Sequence, residues 1–177
     1  ARVLPRSARG AVWQQRWRTL LLTDALSTVA RLRAATASDH DAVDAGFGRY
    51  DLTDADDYRA LLIAHAKALP AVEAWLEGIP GLAAVRSRGA ALAADLAALG
   101  EEMPTPMAFD LPPSEAAGWG AMYVVEGSRL GGIMLSRSVP EGMPSAYLGA
   151  KHLSGEWRAL LAAIDRQPAD DAWVAQA

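Results

Sequence analysis

Apolar side chains recur at helical spacing along most of the chain. From position 24 to Phe47 the apolar and small residues are separated by steps of three and four, which place them on one face of a helix. A second stripe of this kind follows the GRYDL segment and extends to Leu76. The alternation typical of strands is hardly visible, and we find no internal repeat. The pattern predicts an all-α fold.

Residues that start or stop helices give the boundaries of the first two. The first helix is predicted over 24–47, where glycines end it. The second is predicted to start at Thr53, a favourable N-cap residue, and to end at Gly78. Because proline lacks an N–H and its ring clashes with the preceding turn, Pro70 predicts a kink or a break in the second helix.

Three further helices are predicted over 82–99, 114–138 and 153–165. Ser114 is the expected N-cap of the middle one. The connection over 103–113 contains four prolines, which disfavour helix at their own position and at the residue before. We therefore expect this connection to be an extended loop.

Composition narrows the class of protein. A chain of 177 residues is sufficient for one domain with a real core, and a net charge of -4 gives no reason to expect nucleic acid as a partner. The absence of cysteine excludes disulfides, thiolate nucleophiles, iron–sulfur clusters and Cys-based zinc sites. No apolar run is long enough to span a bilayer. We expect a cytoplasmic protein without a membrane span.

The first 23 residues differ from the rest because they contain five arginines and no acidic residue before Asp24. Such a start is typical of a targeting peptide or of a loose basic tail. We favour the tail, because its apolar run is short for a secretory signal. The predicted organisation is a loosely ordered basic extension over 1–23 and a single domain over 24–177.

Without cysteine, the three histidines are the strongest candidate ligands or bases. His152, at the start of a helix, is expected to be solvated. His40 and His65 lie on apolar faces, where a core role is more common than a ligand role. The chain lacks the Glu-x-x-His pairs of di-iron bundles. A metal at His40 or His65 would therefore bring its own equatorial ligands, as haem does, and one axial imidazole would hold it.

The segment YVVEGSRLGG, residues 123–132, carries three glycines inside a predicted helix. Each costs about 1 kcal/mol relative to alanine. Gly127 and Gly131 lie four residues apart on one face, with Gly132 beside them and Ser128 near the edge. The bare backbone is suited either to a planar ligand or to close packing of two helices. Spacing alone does not separate these alternatives.

Two segments together resemble one known family. LRAATASDHDAVD, residues 32–44, resembles the proximal helix of haem oxygenases, and YVVEGSRLGGIML, residues 123–135, resembles their glycine-rich distal helix. The second is most similar to the bacterial branch often found with bacteriophytochromes. YRALLIAHAKALPAVEAWL, between them, is also similar to this family, and the resemblance covers about residues 25–165.

This resemblance implies a single-domain helical bundle that cleaves haem b with O₂ to biliverdin, CO and Fe²⁺. Haem is then both cofactor and substrate. The resemblance also implies an external electron donor of the ferredoxin or reductase type. A bacteriophytochrome is the implied acceptor of biliverdin.

On the proximal side, the resemblance assigns five residues. His40 matches the axial iron ligand, and Asp44, one turn later, matches an acidic position of the family. Asp44 is suited to orient the imidazole by a hydrogen bond, and a plain surface carboxylate is the alternative. Arg33 matches a basic residue near a haem propionate. Lys151 and Arg158 are the candidates for the propionate-binding groups that the last helix supplies in this family.

On the distal side, Gly127, Gly131 and Gly132 match the glycines that line the haem, while His65 is left as a core or supporting residue. Ser128 stands where many members have an aspartate that organises the distal water network. A serine hydroxyl can hold a water but cannot carry a charge. The resemblance thus assigns oxygen access to Gly127 and water-assisted proton delivery to Ser128.

Two other functions remain open at this stage. A haem-binding or haem-sensing protein of the same fold could keep the pocket without the chemistry, and the serine at 128 favours this alternative. An all-α interaction module without a ligand is the third.

Overall fold

The computed structural model describes residues 27–177, and the predicted N-terminal extension lies outside this range. The described residues form an all-α body of seven α-helices and contain no strand, as predicted. The helices are α1 (Thr28–Ala35), α2 (Ala37–Phe47), α3 (Ala55–Glu77), α4 (Gly89–Ala98), α5 (Glu115–Leu135), α6 (Glu156–Ile164) and α7 (Asp171–Gln176), and a 3₁₀ turn (Ser136–Ser138) follows α5. None of the described helices combines the length and apolar character needed to cross a membrane.

Two apolar clusters form the core. The larger one joins α3, α4 and α5 through buried side chains such as Leu61, Leu92 and Met122. The smaller one joins α1, α5 and α6 through Val29, Trp119 and Ile164. Because α5 contributes to both clusters, it is the central helix of the fold.

The first predicted helix is divided at Thr36, so the expectation of one continuous helix is wrong there. Thr36 leaves helical geometry, with φ −100° and ψ 7°, and its hydroxyl donates to the Leu32 carbonyl at 2.8 Å. Such local hydrogen bonds compete with regular helix. However, the Thr36 N–H still donates to Leu32 O and the His40 N–H to Thr36 O, at 3.0 and 2.9 Å. Leu32, Thr36 and His40 therefore follow one another by single helical turns.

Helix α3 starts one residue later than predicted and continues through Pro70. Its N-cap is Asp54 instead of Thr53, because the Asp54 carboxylate accepts hydrogen bonds from two N–H groups of the first turn. Of the kink or break predicted at Pro70, the break is wrong, because the helix is continuous there. Leu69 and Leu76 are buried on either side of the proline, and this packing keeps the segment helical. Gly78 ends the helix, as predicted.

Helix α4 is much shorter than its predicted range of 82–99. Glu73 of α3 accepts hydrogen bonds from the Ser87 hydroxyl and from the Arg88 N–H, the latter at 3.1 Å. These tertiary contacts take the place of helical bonds, so the chain becomes helical only from Gly89. At the other end, Gly100 has φ +79°, where glycine carries no side-chain penalty.

The C-terminal third agrees more closely with prediction. The proline-rich connection forms no helix, and the Ser114 hydroxyl caps α5 by accepting from Ala117 N at 3.1 Å. Helix α6 begins at Glu156, three residues later than predicted. Helix α7 was not predicted, because six residues are too few to establish a periodic pattern.

Candidate functional site

A cavity of about 380 Å³ lies between α1, α3 and α5. Leu32 and Thr36 line it from α1, and Phe109 from the proline-rich connection. Most of the lining is apolar, and its few polar groups include Ser128 of α5 and His65 of α3. A volume of this size falls within the range of small-molecule sites, which is about 300–1,000 Å³.

The glycines of α5 have different surroundings. A side-chain carbon added to Gly131 would meet no heavy atom within 4 Å, and one added to Gly127 would meet only Trp157, at 3.6 Å. At Gly132 it would lie 3.1 Å from the backbone oxygen of Leu148. Close packing therefore accounts for Gly132, whereas it does not account for Gly127 or Gly131.

Gly127 and Gly131 continue a strip of α5 that begins at the cavity. Steps of four, three and four residues connect Gly120, Val124, Gly127 and Gly131, so the four lie along one side of the helix. Gly120 and Val124 line the cavity, and the end of α7 packs on Gly120 through Ala177. Gly127 and Gly131 thus continue the line of Gly120 and Val124 along α5, but neither of them lines the cavity itself.

His40 lies on α2, which buries none of its 11 residues. The side chain of His40 is 56% exposed, and its Nδ1 lies 3.3 Å from an Asp44 carboxylate oxygen. A carboxylate beside one ring nitrogen is the usual partner of a metal-binding imidazole. His40 is not part of the cavity lining, but it follows Thr36, which is, by one turn.

Arg33 connects α1 to α5. Its Nε donates to the hydroxyl of Tyr123 at 2.8 Å, and its guanidinium carbon lies 6.0 Å from the centre of the Tyr123 ring. The other two predicted propionate-binding residues, Lys151 and Arg158, are exposed and do not line the cavity. The structure brings Arg33 close to the cavity wall and leaves the other two on the surface.

His65 lies in the cavity wall, between the rings of Phe47 and Tyr147 at centroid distances of 5.0 and 5.4 Å. Burial lowers its pKa, and the charge of Arg88 acts in the same direction. The ring is therefore neutral at neutral pH. Its Nδ1 lies 3.0 Å from the Leu61 carbonyl, so Nδ1 carries the proton and Nε2 carries the lone pair.

Arg88 is a site residue that the sequence did not reveal. It directly precedes α4 and is only 3% exposed. Its Nη2 donates to Ser128 Oγ at 2.6 Å and to the Val125 carbonyl at 3.0 Å. The Ser128 hydroxyl itself donates to the same carbonyl at 2.7 Å. Nothing in the local sequence distinguishes this arginine from a surface one.

A buried ionic cluster lies on α5 outside the cavity lining. Arg129 donates to both carboxylate oxygens of Glu126, at 2.8 and 3.0 Å, and His152 Nε2 lies 3.0 Å from the same carboxylate. The expectation that His152 is solvated is wrong, since its side chain is 8% exposed. This cluster stabilises the packing of α5 against the residues that precede α6.

One comparison connects the chain to a protein of named function. The chain is 38% identical over 99 residues to a heme oxygenase of Xanthomonas campestris pv. campestris (strain 8004). The match covers 51% of this chain and 58% of the relative, so the chain spans less than two-thirds of that relative's length. No protein-family model and no solved structure matches the chain. The chain therefore has partial homology to a haem oxygenase.

Proposed function

We propose that this protein is a haem oxygenase, which cleaves haem with O₂ to biliverdin, CO and Fe²⁺. The observation that carries the proposal is the partial homology to the Xanthomonas heme oxygenase. The cavity supports it, because α1 and the glycine helix α5 both line one apolar pocket. These helices contain parts of the two segments that resemble the haem oxygenase family.

The described residues fit a haem in two respects. The strip through Gly127 and Gly131 is bare backbone that close packing does not explain, and a flat macrocycle can lie against such a surface. From Thr36, which lines the cavity, the chain continues by one turn to His40, whose Asp44 partner is of the kind that orients a metal-binding imidazole. We propose that His40 holds the iron of haem b.

The remaining proposed contacts concern the haem edge. Arg33, already beside the cavity wall through Tyr123, is suited to one propionate. Lys151 and Arg158 carry the positive charge suited to the second propionate. Both are exposed, so their side chains can turn towards that propionate. Gly132 contributes by allowing α5 to approach Leu148 closely, which fixes the position of the glycine strip.

Haem, when bound, supplies the iron that activates oxygen and the macrocycle that is cleaved. The chain supplies space, orientation and hydrogen bonds. Gly127 and Gly131 leave room for a diatomic molecule, Leu32 and Val125 exclude bulk water from the cavity, and Ser128 holds a water through its hydroxyl oxygen. We propose that this water delivers the proton that the reaction consumes.

His65 is the alternative iron ligand, because it lines the cavity and its Nε2 carries a lone pair. We assign the iron to His40 for two reasons. His65 is already enclosed by the rings of Phe47 and Tyr147, whereas α2, which carries His40, has no buried residue. The proximal motif also centres on His40.

The partners and organisation follow from the same proposal. We propose a ferredoxin or reductase as electron donor, a bacteriophytochrome as biliverdin acceptor, and a cytoplasmic location. We further propose that residues 24–177 form the haem-binding domain and that the basic segment 1–23 is an extension to it.

Haem titration followed by product analysis tests the proposal. The protein should bind one haem, and the complex should form biliverdin in air when ascorbate or a ferredoxin system supplies electrons. A stable oxygen complex without biliverdin would instead support a haem-binding or haem-sensing protein. Ser128 favours that second candidate, since its hydroxyl hydrogen is donated to Val125 O. A protein that stays colourless with haem would contradict both.

A further inference from the structure

Arg88 is a buried cation whose guanidinium forms no ion pair with the described residues. Its guanidinium meets Ser128 Oγ, the Val125 carbonyl and, at 5.1 Å, the Tyr147 ring, and no carboxylate of the described residues contacts it. Its Nε is buried without a hydrogen-bond partner in the same part of the chain. The carboxylates of Glu73 and Glu126 favour the charged form of Arg88 without contacting its guanidinium. Burying a charge without a direct ion pair is costly, so simple core packing is a poor explanation for an arginine here.

The hydrogen bonds of Ser128 determine which of its hydrogen-bonding groups faces the cavity. A hydroxyl has one hydrogen to donate and two lone pairs that accept. The hydrogen of Ser128 is directed to Val125 O at 2.7 Å, and one lone pair accepts from Arg88 at 2.6 Å. Only one lone pair remains, and Ser128 lines the cavity. The hydroxyl is therefore held in one orientation.

We propose that Arg88 is the positioning residue of Ser128, which it holds so that the cavity meets a hydrogen-bond acceptor at this point. On the proposed function, on which this inference rests, a water beside Ser128 donates one hydrogen to Oγ. Its second hydrogen stays directed to a ligand in the cavity. A hydroxyl free to rotate would accept and donate in turn and would give the water no fixed direction.

The geometry requires arginine in particular. One planar guanidinium nitrogen reaches both Ser128 Oγ and Val125 O, while the backbone N–H of Arg88 is held by Glu73. A lysine keeps the charge, but its ammonium ends one bond short of this nitrogen and lacks the fixed fork. Arg88→Lys therefore separates the effect of charge from that of position.

The ligand-free protein gives the first test. Urea unfolding midpoints are measured for Ser128→Ala, Arg88→Met and the double variant. If the two side chains act as one hydrogen-bonded unit, the double variant shifts the midpoint by less than the sum of the single shifts. Additive shifts would overturn the proposed arrangement. This measurement needs no haem, so it judges the Arg88–Ser128 contact even if the proposed function fails.

The carbon monoxide complex of the haem-loaded, reduced protein gives the second test. The C–O stretching frequency falls when a hydrogen bond is donated to the ligand. Ser128→Ala, Arg88→Met and Arg88→Lys should all raise it, and the Ser128→Ala/Arg88→Met double variant should match Ser128→Ala alone. Arg86→Met is the matched control, since Arg86 contacts Glu156 and Lys151 and makes no contact with Ser128.

The outcomes test the positioning role of Arg88 separately from the proposed function. If Arg88→Lys keeps the wild-type C–O stretching frequency, the positive charge alone is sufficient. If the double variant shifts this frequency further than Ser128→Ala does, Arg88 acts on the ligand directly. Either result overturns the positioning role. If Arg88→Met does not fold, Arg88→Lys and Ser128→Ala still decide between these outcomes. Failure of the wild type to bind haem would overturn the proposed function instead.

Discussion

Helices α2 and α5 carry the two halves of the proposed haem site, but the protein holds them in opposite ways. Helix α5 buries ten of its 21 residues and contributes to both core clusters. Helix α2 buries none of its 11, and Val43 on it is 55% exposed. Packing thus fixes the distal wall in advance, whereas the described structure gives the proximal helix little to pack against. We infer that haem itself completes the packing of α2.

The largest expected effect is on turnover and comes from α2. His40→Ala should reduce biliverdin formation by more than about 100-fold and change the ferric haem spectrum, because the iron loses its ligand. The free energy of unfolding of the ligand-free variant should change by less than about 1 kcal/mol, since the side chain is exposed. Optical spectra, a product assay and urea unfolding measure these quantities.

His65→Ala is the matched control for loss of an imidazole. It should keep the iron ligand and retain the ferric haem spectrum of the wild type. If His65→Ala loses that spectrum while His40→Ala keeps it, the ligand assignment is reversed.

The next effect is on stability and comes from α5. Glu126→Gln leaves Arg129 buried without its carboxylate, so it should lower the free energy of unfolding by about 3–5 kcal/mol. Asp56→Asn is the control, because Asp56 and Arg59 form an exposed ion pair three residues apart, like Glu126 and Arg129. It should lower the free energy of unfolding by less than about 1 kcal/mol. Equal costs in urea unfolding would contradict the contrast between a buried and an exposed ion pair.

Alanine substitutions of glycine test the two uses of the glycine stretch. Gly132→Ala should destabilise the protein by about 1–3 kcal/mol, because its side chain would press on the Leu148 carbonyl. Gly131→Ala meets open space and should stabilise the ligand-free helix by up to about 1 kcal/mol. If Gly131 lies against haem, the same variant should weaken haem binding.

Gly46→Ala is the control for Gly131→Ala. Gly46 lies within α2, and a side-chain carbon there also meets no atom within 4 Å. Both variants gain helix propensity, but only Gly131→Ala should weaken haem binding in a titration. Equal haem affinities of the two variants would remove Gly131 from the site.

The smallest effect is a pH dependence from His65. Burial lowers the pKa of folded His65 below the unfolded value of 6.5. As pH falls from 6.5 towards the folded-state pKa, the unfolded chain binds a proton that the folded chain does not, so stability decreases. His65→Asn should reduce this slope when unfolding is measured at several pH values. If the dependence of stability on pH is unchanged in His65→Asn, groups other than His65 cause it.

The sequence was sufficient for the fold class because helical periodicity and capping residues act locally. Ser114 and Gly78 are confirmed as helix boundaries for this reason. Two of the errors arise where distant contacts override local preference. Glu73 delays the start of α4 until Gly89, and buried leucines carry α3 through Pro70.

The site shows the same division. The motif resemblance indicates His40 and the glycine helix as parts of a haem site. The assignment of their roles stays a prediction. The resemblance did not find Arg88, because an arginine on a polar stripe looks the same in sequence whether water or a buried serine meets it. Position at a predicted helix start also misjudged His152, whose partner Glu126 lies 26 positions earlier in the chain.

Hydrogen exchange of α2 with and without haem tests the central claim most directly. In the ligand-free protein, amides of α2 should exchange faster than those of α5, because α2 has no buried side chain. One equivalent of haem should slow exchange in α2 around His40 and leave the already protected core of α5 nearly unchanged. Stoichiometric haem binding that leaves the exchange of α2 unaltered would contradict a haem held between α2 and α5.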